Sequence, residues 1–270
     1  MAEDNINQTP TDESLTDKGS TFIAIETVGR LSYGRELRLK PDDVIVALDG
    51  NPITCDIDKF DETVNSHAEM PALLTIFRKG EFFEIFISEP LQCSYKYASD
   101  EEIEVIVGKQ PEHEIGPKES YNGFEALRDM RRRVRLFRTD YSPYATIAPV
   151  FWLLYHNMWG PLVVVLVTYT VSALINPILL MLIYVLLSIY FHKAQTVLMR
   201  SYSVYLDYAC WFVFAERSTR KAQERLRRFD EKCRFSFSHV PEPTVDEAEE
   251  ARVAALMKEA RAELNAEANS

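Results

Sequence analysis

Residues 161–190 read PLVVVLVTYTVSALINPILLMLIYVLLSIY, and this stretch decides the architecture. It lies inside a longer run, Tyr141 to His192, of 52 residues without Asp, Glu, Lys or Arg. One membrane-crossing helix needs about 20 apolar residues, so the run has room for two. Asn176-Pro177 divides it. Proline lacks a backbone donor and suits the first turn of a helix. The spacing therefore predicts one helix ending near Ile175 and a second starting at Pro177.

The flanks carry the charge. Upstream stand Arg128, Arg131, Arg132, Arg133, Arg135 and Arg138, with Asp129 as the only acid among them. Downstream, residues 217–234 hold eight bases, against four acids counting Glu216. A hairpin keeps both basic blocks on one side, and basic flanks face the cytoplasm. The expectation is a multi-pass protein with both termini cytoplasmic. The first arm, Pro161–Ile175, spans roughly 22 Å at 1.5 Å per residue, less than a hydrocarbon core of about 30 Å. A shallow re-entrant hairpin is the alternative. Trp152, Tyr155 and Trp159 read as an interfacial aromatic belt joined to the hairpin at Gly160-Pro161.

Upstream of the run, Phe124, Leu127, Met130, Val134 and Phe137 form a stripe. The spacing predicts a basic amphipathic helix over 124–140. Arg131, Arg132, Arg133 and Arg135 would then meet an anionic lipid surface. Beyond the hairpin, Leu198, Tyr202, Tyr205, Ala209 and Phe212 recur at helical spacing and predict a long amphipathic helix over 195–238. Residues 239–270 read as an acidic tail or a last helix, and residues 1–18 as a disordered acidic tail.

Residues 19–92 have another texture. Thr21–Val28 is β-rich. Residues 39–53 read LKPDDVIVALDGNPI, an apolar run closed by a strong turn signal, Asp49-Gly50-Asn51-Pro52. Residues 56–67 suit a short helix. Ala72–Phe77, the turn Arg78-Lys79-Gly80 and Phe82–Ile87 read as an antiparallel hairpin. Residues 93–123 read as a linker with a strand over Glu102–Val107.

The segment 39–53, followed by LTIFRKG at 74–80, resembles the signature of bacterial PDZ domains. Two departures are Asp42, where that family usually has Gly, and Arg30–Arg38, where it has a small-residue helix. The resemblance implies an α+β fold: a small, partly open β-barrel with one short helix, here joined to a helical membrane hairpin. It also implies that a peptide C-terminus adds as a strand to an open sheet edge. The groove would be built from Gly19, Ser20, Thr21, Phe22, Ile23 and Ile25 on one side and Phe60 and Val64 on the other. The alternative leaves these apolar residues as ordinary core. Residues 148–159, APVFWLLYHNMW, resemble a bacterial family of small membrane hairpins of unknown function.

The net charge of −11 argues against nucleic-acid binding. The four cysteines form no C-x-x-C pair and suit a reducing compartment. The first 30 residues lack the apolar core of a secretory signal. There is no H-E-x-x-H, no G-x-S-x-G and no P-loop, so no enzyme and no cofactor is expected. His156 and His192 flank Asn176 at similar distances and are haem or metal ligands in the remaining alternative. The sequence thus predicts a membrane-anchored adaptor at the cytoplasmic face of a bacterial inner membrane. Its partner is a protein. The second alternative is an accessory subunit that binds a membrane complex through its hairpin.

Overall fold

The computed structural model describes residues 22–53, 57, 60, 64, 71–110, 113, 115–243, 252, 255, 256 and 258. The chain first builds β1 (Ile23–Val28), α1 (Tyr33–Glu36), β2 (Val44–Leu48), β3 (Asn51–Pro52), β4 (Ala72–Arg78), β5 (Glu81–Ile87), β6 (Cys93–Tyr97) and α2 (Asp100–Lys109). It continues with β7 (Asn122–Arg128), β8 (Arg133–Arg138), and the helices α3 (Pro143–Ile147), α4 (Pro149–Tyr155), α5 (Trp159–Ile175) and α6 (Pro177–Tyr205). It returns through β9 (Ala209–Glu216), α7 (Thr219–Phe229) and β10 (Arg234–Phe235). The fold is α+β. The strands form one sheet in the order β10-β8-β7-β9-β5-β4-β2-β1-β6, with β3 on β2.

The turns follow from the sequence. Lys79-Gly80 joins β4 to β5 with φ of 50° and 85°, and Asp49-Gly50 joins β2 to β3 with φ of 48° and 81°. Two-residue hairpin loops favour this left-handed pair because it matches the twist of the strands. Asp42 has φ of 67°, in the left-handed region that glycine adopts most readily. The two motif segments meet inside the protein. Arg78 donates through Nε to Asp43 Oδ1 and through Nη2 to Asp43 Oδ2, both at 2.6 Å, and both residues are buried. Phe83 of β5 and Phe212 of β9 cover the guanidinium.

β1 sends its side chains to two cores. Ile23 and Ile25 pack with Phe60 and Val64, while Phe22 and Ala24 pack with Val44, Val46 and Ile106 of α2. In β7, Phe124 and Ala126 join the first core with Phe212, Phe214 and Leu226. Leu127 enters a further core with Phe137, Trp152, Leu153 and Phe191, between the sheet and the helices.

β5 and β9 pair only at Glu84↔Ala215. A buried polar cluster closes this narrow joint. Glu84 lies 2.5 Å from His113 Nε2 and 3.9 Å from Arg225 Nη2, and Arg225 lies 3.1 Å from Glu216.

β7 bonds β8 along one edge and β9 along the other. Residues 139–208 therefore leave the sheet and return to it. Within this excursion α5 and α6 fold back on one another about Asn176-Pro177, with the Tyr169 and Tyr184 rings 6.4 Å apart. The Asn176 side chain accepts from Ile178 N at 2.7 Å and caps α6.

Several sequence expectations are corrected. Residues 124–140 are not a helix. They form the β7–β8 hairpin, turned by Asp129, whose Oδ1 accepts from Arg133 N at 2.7 Å, with Arg132 at φ of 59°. Residues 195–238 are not one helix. Asp207, at φ of 64°, lies just past the end of α6, and the run Cys210–Phe214 is a strand. Residues 102–107 are helical, because Ser99 and Glu102 form a reciprocal capping box. The N-terminal strands do not form a separate barrel but share one sheet with β7–β10. Residues 1–18, and most of 239–270, lie outside the described residues; Arg252, Ala255, Leu256 and Lys258 are helical.

Candidate functional site

The residues expected to line a peptide groove are either buried or outside the described residues. Gly19, Ser20 and Thr21 lie outside the described residues. Phe22, Ile23, Ile25, Phe60 and Val64 are all buried. β1 lies between two strands: it pairs with β2 at Ile23 and Ala24, and with β6 from Ile23 to Val28. β6 runs antiparallel to β1, as an added peptide strand would. Tyr95 of β6 meets the Phe60 ring edge-on at 5.3 Å. Phe22, Ile23, Ile25, Phe60 and Val64 are thus part of the hydrophobic cores.

The helical excursion is unlike the rest of the surface. Val163, Val164, Val167 and Val171 on α5, and Met181, Leu182, Val185 and Leu186 on α6, are exposed. At the turn between them Leu174, Ile175 and Ile178 are 82%, 70% and 77% exposed. An apolar surface of this continuity is unfavourable in water. Three of the hydroxyl side chains of α5 bond to their own helix. Thr168 donates to Val164 O at 2.8 Å, Thr170 to Leu166 O at 2.9 Å and Ser172 to Thr168 O at 2.6 Å. Only α6 is long and apolar enough, among the described residues, to cross a membrane; α5 is a shorter apolar helix.

At the base of these helices lies a cavity of about 800 Å³. β8 forms one wall, α4 and the end of α6 another, and the segment after β10 a third. Arg135 of β8 points into it. Its Nη2 donates to His156 O at 2.9 Å, and its guanidinium faces the rings of Tyr202 at 5.6 Å and Tyr208 at 5.9 Å. Burial pulls the Arg135 guanidinium below its usual range. It stays charged, as arginine does in proteins. His156, also on the cavity wall, packs against Trp152 and Tyr155. Burial, and then the Arg135 charge, bring its pKa down to about 4, so the ring is neutral near pH 7. Tyr155 and Phe237 stack with nearly parallel rings 6.3 Å apart, linking α4 to the segment after β10.

The expected interface residues divide. Tyr155 and Trp159 are exposed, but Trp152 is buried against Phe191. Arg131 and Arg132 sit in the β7–β8 turn, Arg132 lying 3.4 Å from Asp230, and Arg133 pairs with Asp129 at 2.7 Å. His156 and His192 have different surroundings: His192 meets the Tyr141 ring at 4.7 Å and Thr146 Oγ1 at 3.5 Å. Among the described residues no three His, Cys, Asp or Glu side chains cluster as metal ligands. Sequence reasoning missed the cavity because its walls come from distant segments. The signal present was one alternation, Val134-Arg135-Leu136, with an arginine between two core residues.

No family model matches the chain, and no curated protein matches it.

Proposed function

We propose that this chain is a membrane-anchored scaffold. The α5–α6 hairpin enters the bilayer from the cytoplasmic side and holds the ten-stranded sheet against that face. The observation that carries this reading is the exposed, uncharged apolar surface of α5 and α6, greatest at Leu174, Ile175 and Ile178. The sheet adds a topological argument. Strands on both sides of the excursion bond to β7, so the hairpin returns to the side it left. One crossing is incompatible with that connection.

The depth follows from lengths. α5 has 17 residues, roughly 25 Å at 1.5 Å per residue. The uncharged part of α6, Pro177–His192, is of similar length, roughly 24 Å. Both fall short of a hydrocarbon core of about 30 Å. The apolar tip, with Asn176 satisfied by its own helix, favours a hairpin whose turn stays within the membrane.

The β1–β6 unit is read as PDZ-like and structural, a reading supported by the pairing of β6 with β1. Partner proteins then meet other surfaces of the sheet or hairpin, as in an accessory subunit. Two measurements on the full chain test the anchor. Alkaline carbonate is expected to leave the protein in the membrane pellet; complete release would overturn the reading. Asn176→Cys is expected to resist a membrane-impermeant maleimide from either side. Labelling from the far side would replace the buried turn by a hairpin that crosses fully.

A further inference from the structure

Arg135 stands apart from the other arginines of its hairpin. Arg128 lies 2.8 Å from Asp230, Arg133 2.7 Å from Asp129 and Arg138 3.1 Å from Asp140. Arg135 has no carboxylate within ion-pair distance among the described residues; its partners are the His156 carbonyl and two phenol rings. A half-buried cation in that position is costly without a counter-charge. The cavity beside it is large enough for one. Its aromatic wall, Tyr155, Trp159, Tyr202 and Tyr208, suits the boundary between a polar head and an apolar chain. Asp140 also lines the cavity, but its carboxylate is held by Arg138. The cavity sits where the hairpin meets the sheet, which is the headgroup level if the anchor reading holds.

We propose that this cavity binds the phosphate of an anionic lipid, with Arg135 as its counter-charge. The inference rests on the membrane-anchor reading for the source of that phosphate. Arginine suits the task because its planar fork donates two parallel hydrogen bonds to phosphate oxygens. Tyr202 and Tyr208 flank the fork and keep it from turning to water. A zwitterionic lipid carries the same phosphate but brings its own ammonium, so the site selects headgroups with net negative charge.

The test uses the full chain in phosphatidylcholine nanodiscs. It is titrated with short-chain phosphatidylglycerol, short-chain phosphatidylcholine and inorganic phosphate, and tryptophan fluorescence is read, since Trp159 lines the cavity and Trp152 lines it from below. Phosphatidylglycerol is expected to give a saturable change that the phosphatidylcholine analogue does not. Arg135→Gln is expected to weaken it about tenfold or more. Arg135→Lys keeps the charge but loses the fork, and is expected to fall between. An unchanged affinity in folded Arg135→Gln, or an equal response to the phosphatidylcholine analogue, overturns the proposal. Inorganic phosphate binding as tightly as the lipid overturns the lipid source and leaves a soluble-anion site. If Arg135→Gln does not fold, Tyr208→Leu removes one flank, and an unchanged affinity there is likewise fatal. Carbonate extraction of Arg135→Gln is expected to match wild type, which separates failure of the site from failure of the anchor.

Discussion

Arg200 and Glu125 grip each other across the seam between helix and sheet: Arg200 Nε donates to Glu125 Oε2 at 2.7 Å, and Nη2 donates to Oε1. Glu125 is buried in β7, while the Arg200 side chain is 53% exposed at the end of α6. This pair ties the helical excursion to the strand that both its ends must reach.

Arg200→Ala leaves the Glu125 carboxylate buried without its partner. The expected loss is about 2 kcal/mol, below the roughly 3–5 kcal/mol of a fully buried pair because water reaches half of the guanidinium. Urea unfolding in detergent measures it. Glu125→Leu combined with Arg200→Ala is expected to recover part of that loss. A double variant as unstable as Arg200→Ala alone would show that the stranded carboxylate is not the cause.

His156 gives a pH dependence. Its folded pKa is about 4 against an ordinary 6.5, so the unfolded chain binds the proton more readily. The stability due to the neutral ring is complete above about pH 6.5 and is lost as pH falls towards 4. His156→Gln is expected to flatten the unfolding midpoint over that window. An unchanged slope would assign it to carboxylates.

At the β5–β9 joint, Arg225 serves Glu216, and its Nη1 donates to Phe82 O. Arg225→Met is expected to cost about 3 kcal/mol by leaving Glu84 and Glu216 buried without it. Amide exchange of β5 and β9 should then rise before that of β2 and β4, because a single backbone pair, Glu84 with Ala215, registers β5 against β9. Uniform exchange across the sheet would mean the joint is no weaker than its flanks.

Asp42 tests the left-handed position. Asp42→Gly is expected to leave stability close to wild type, trading the exposed Lys96 contact for relief at φ of 67°. Asp42→Val is expected to cost about 1–2 kcal/mol. Equal stability of the two would show that the left-handed backbone at this position costs a branched side chain nothing.

The N-terminal strands were legible because each signal was local. Lys79-Gly80 and Asp49-Gly50 announce their turns, and the apolar runs beside them are strand-length. The second half hid its strands. The β7–β8 turn, Asp129-Met130-Arg131-Arg132, contains no Gly, Pro or Asn, so Phe124 to Phe137 passed for a helical stripe. β9 follows α6 after only three residues, and its aromatic run continued the helical spacing. Its β-branched and aromatic content was the available warning. The division at Asn176-Pro177 was legible, because proline acts through its own backbone. The cavity was not, because β8, α4, α6 and the segment after β10 meet only through tertiary packing.

The interruption of the sheet between β8 and β9 also bears on how the protein is made. When β7 and β8 leave the ribosome, the edge of β7 that β9 will cover is still bare. It stays so until α3 to α6 have been synthesised, α5 and α6 have found their place, and residues 209–216 have emerged. On the proposed membrane-anchor reading, completion of the sheet is then a report that insertion has succeeded. On that reading, a chain whose hairpin fails to insert carries an unsealed strand edge next to a stranded apolar hairpin, and both mark it for chaperones and proteases.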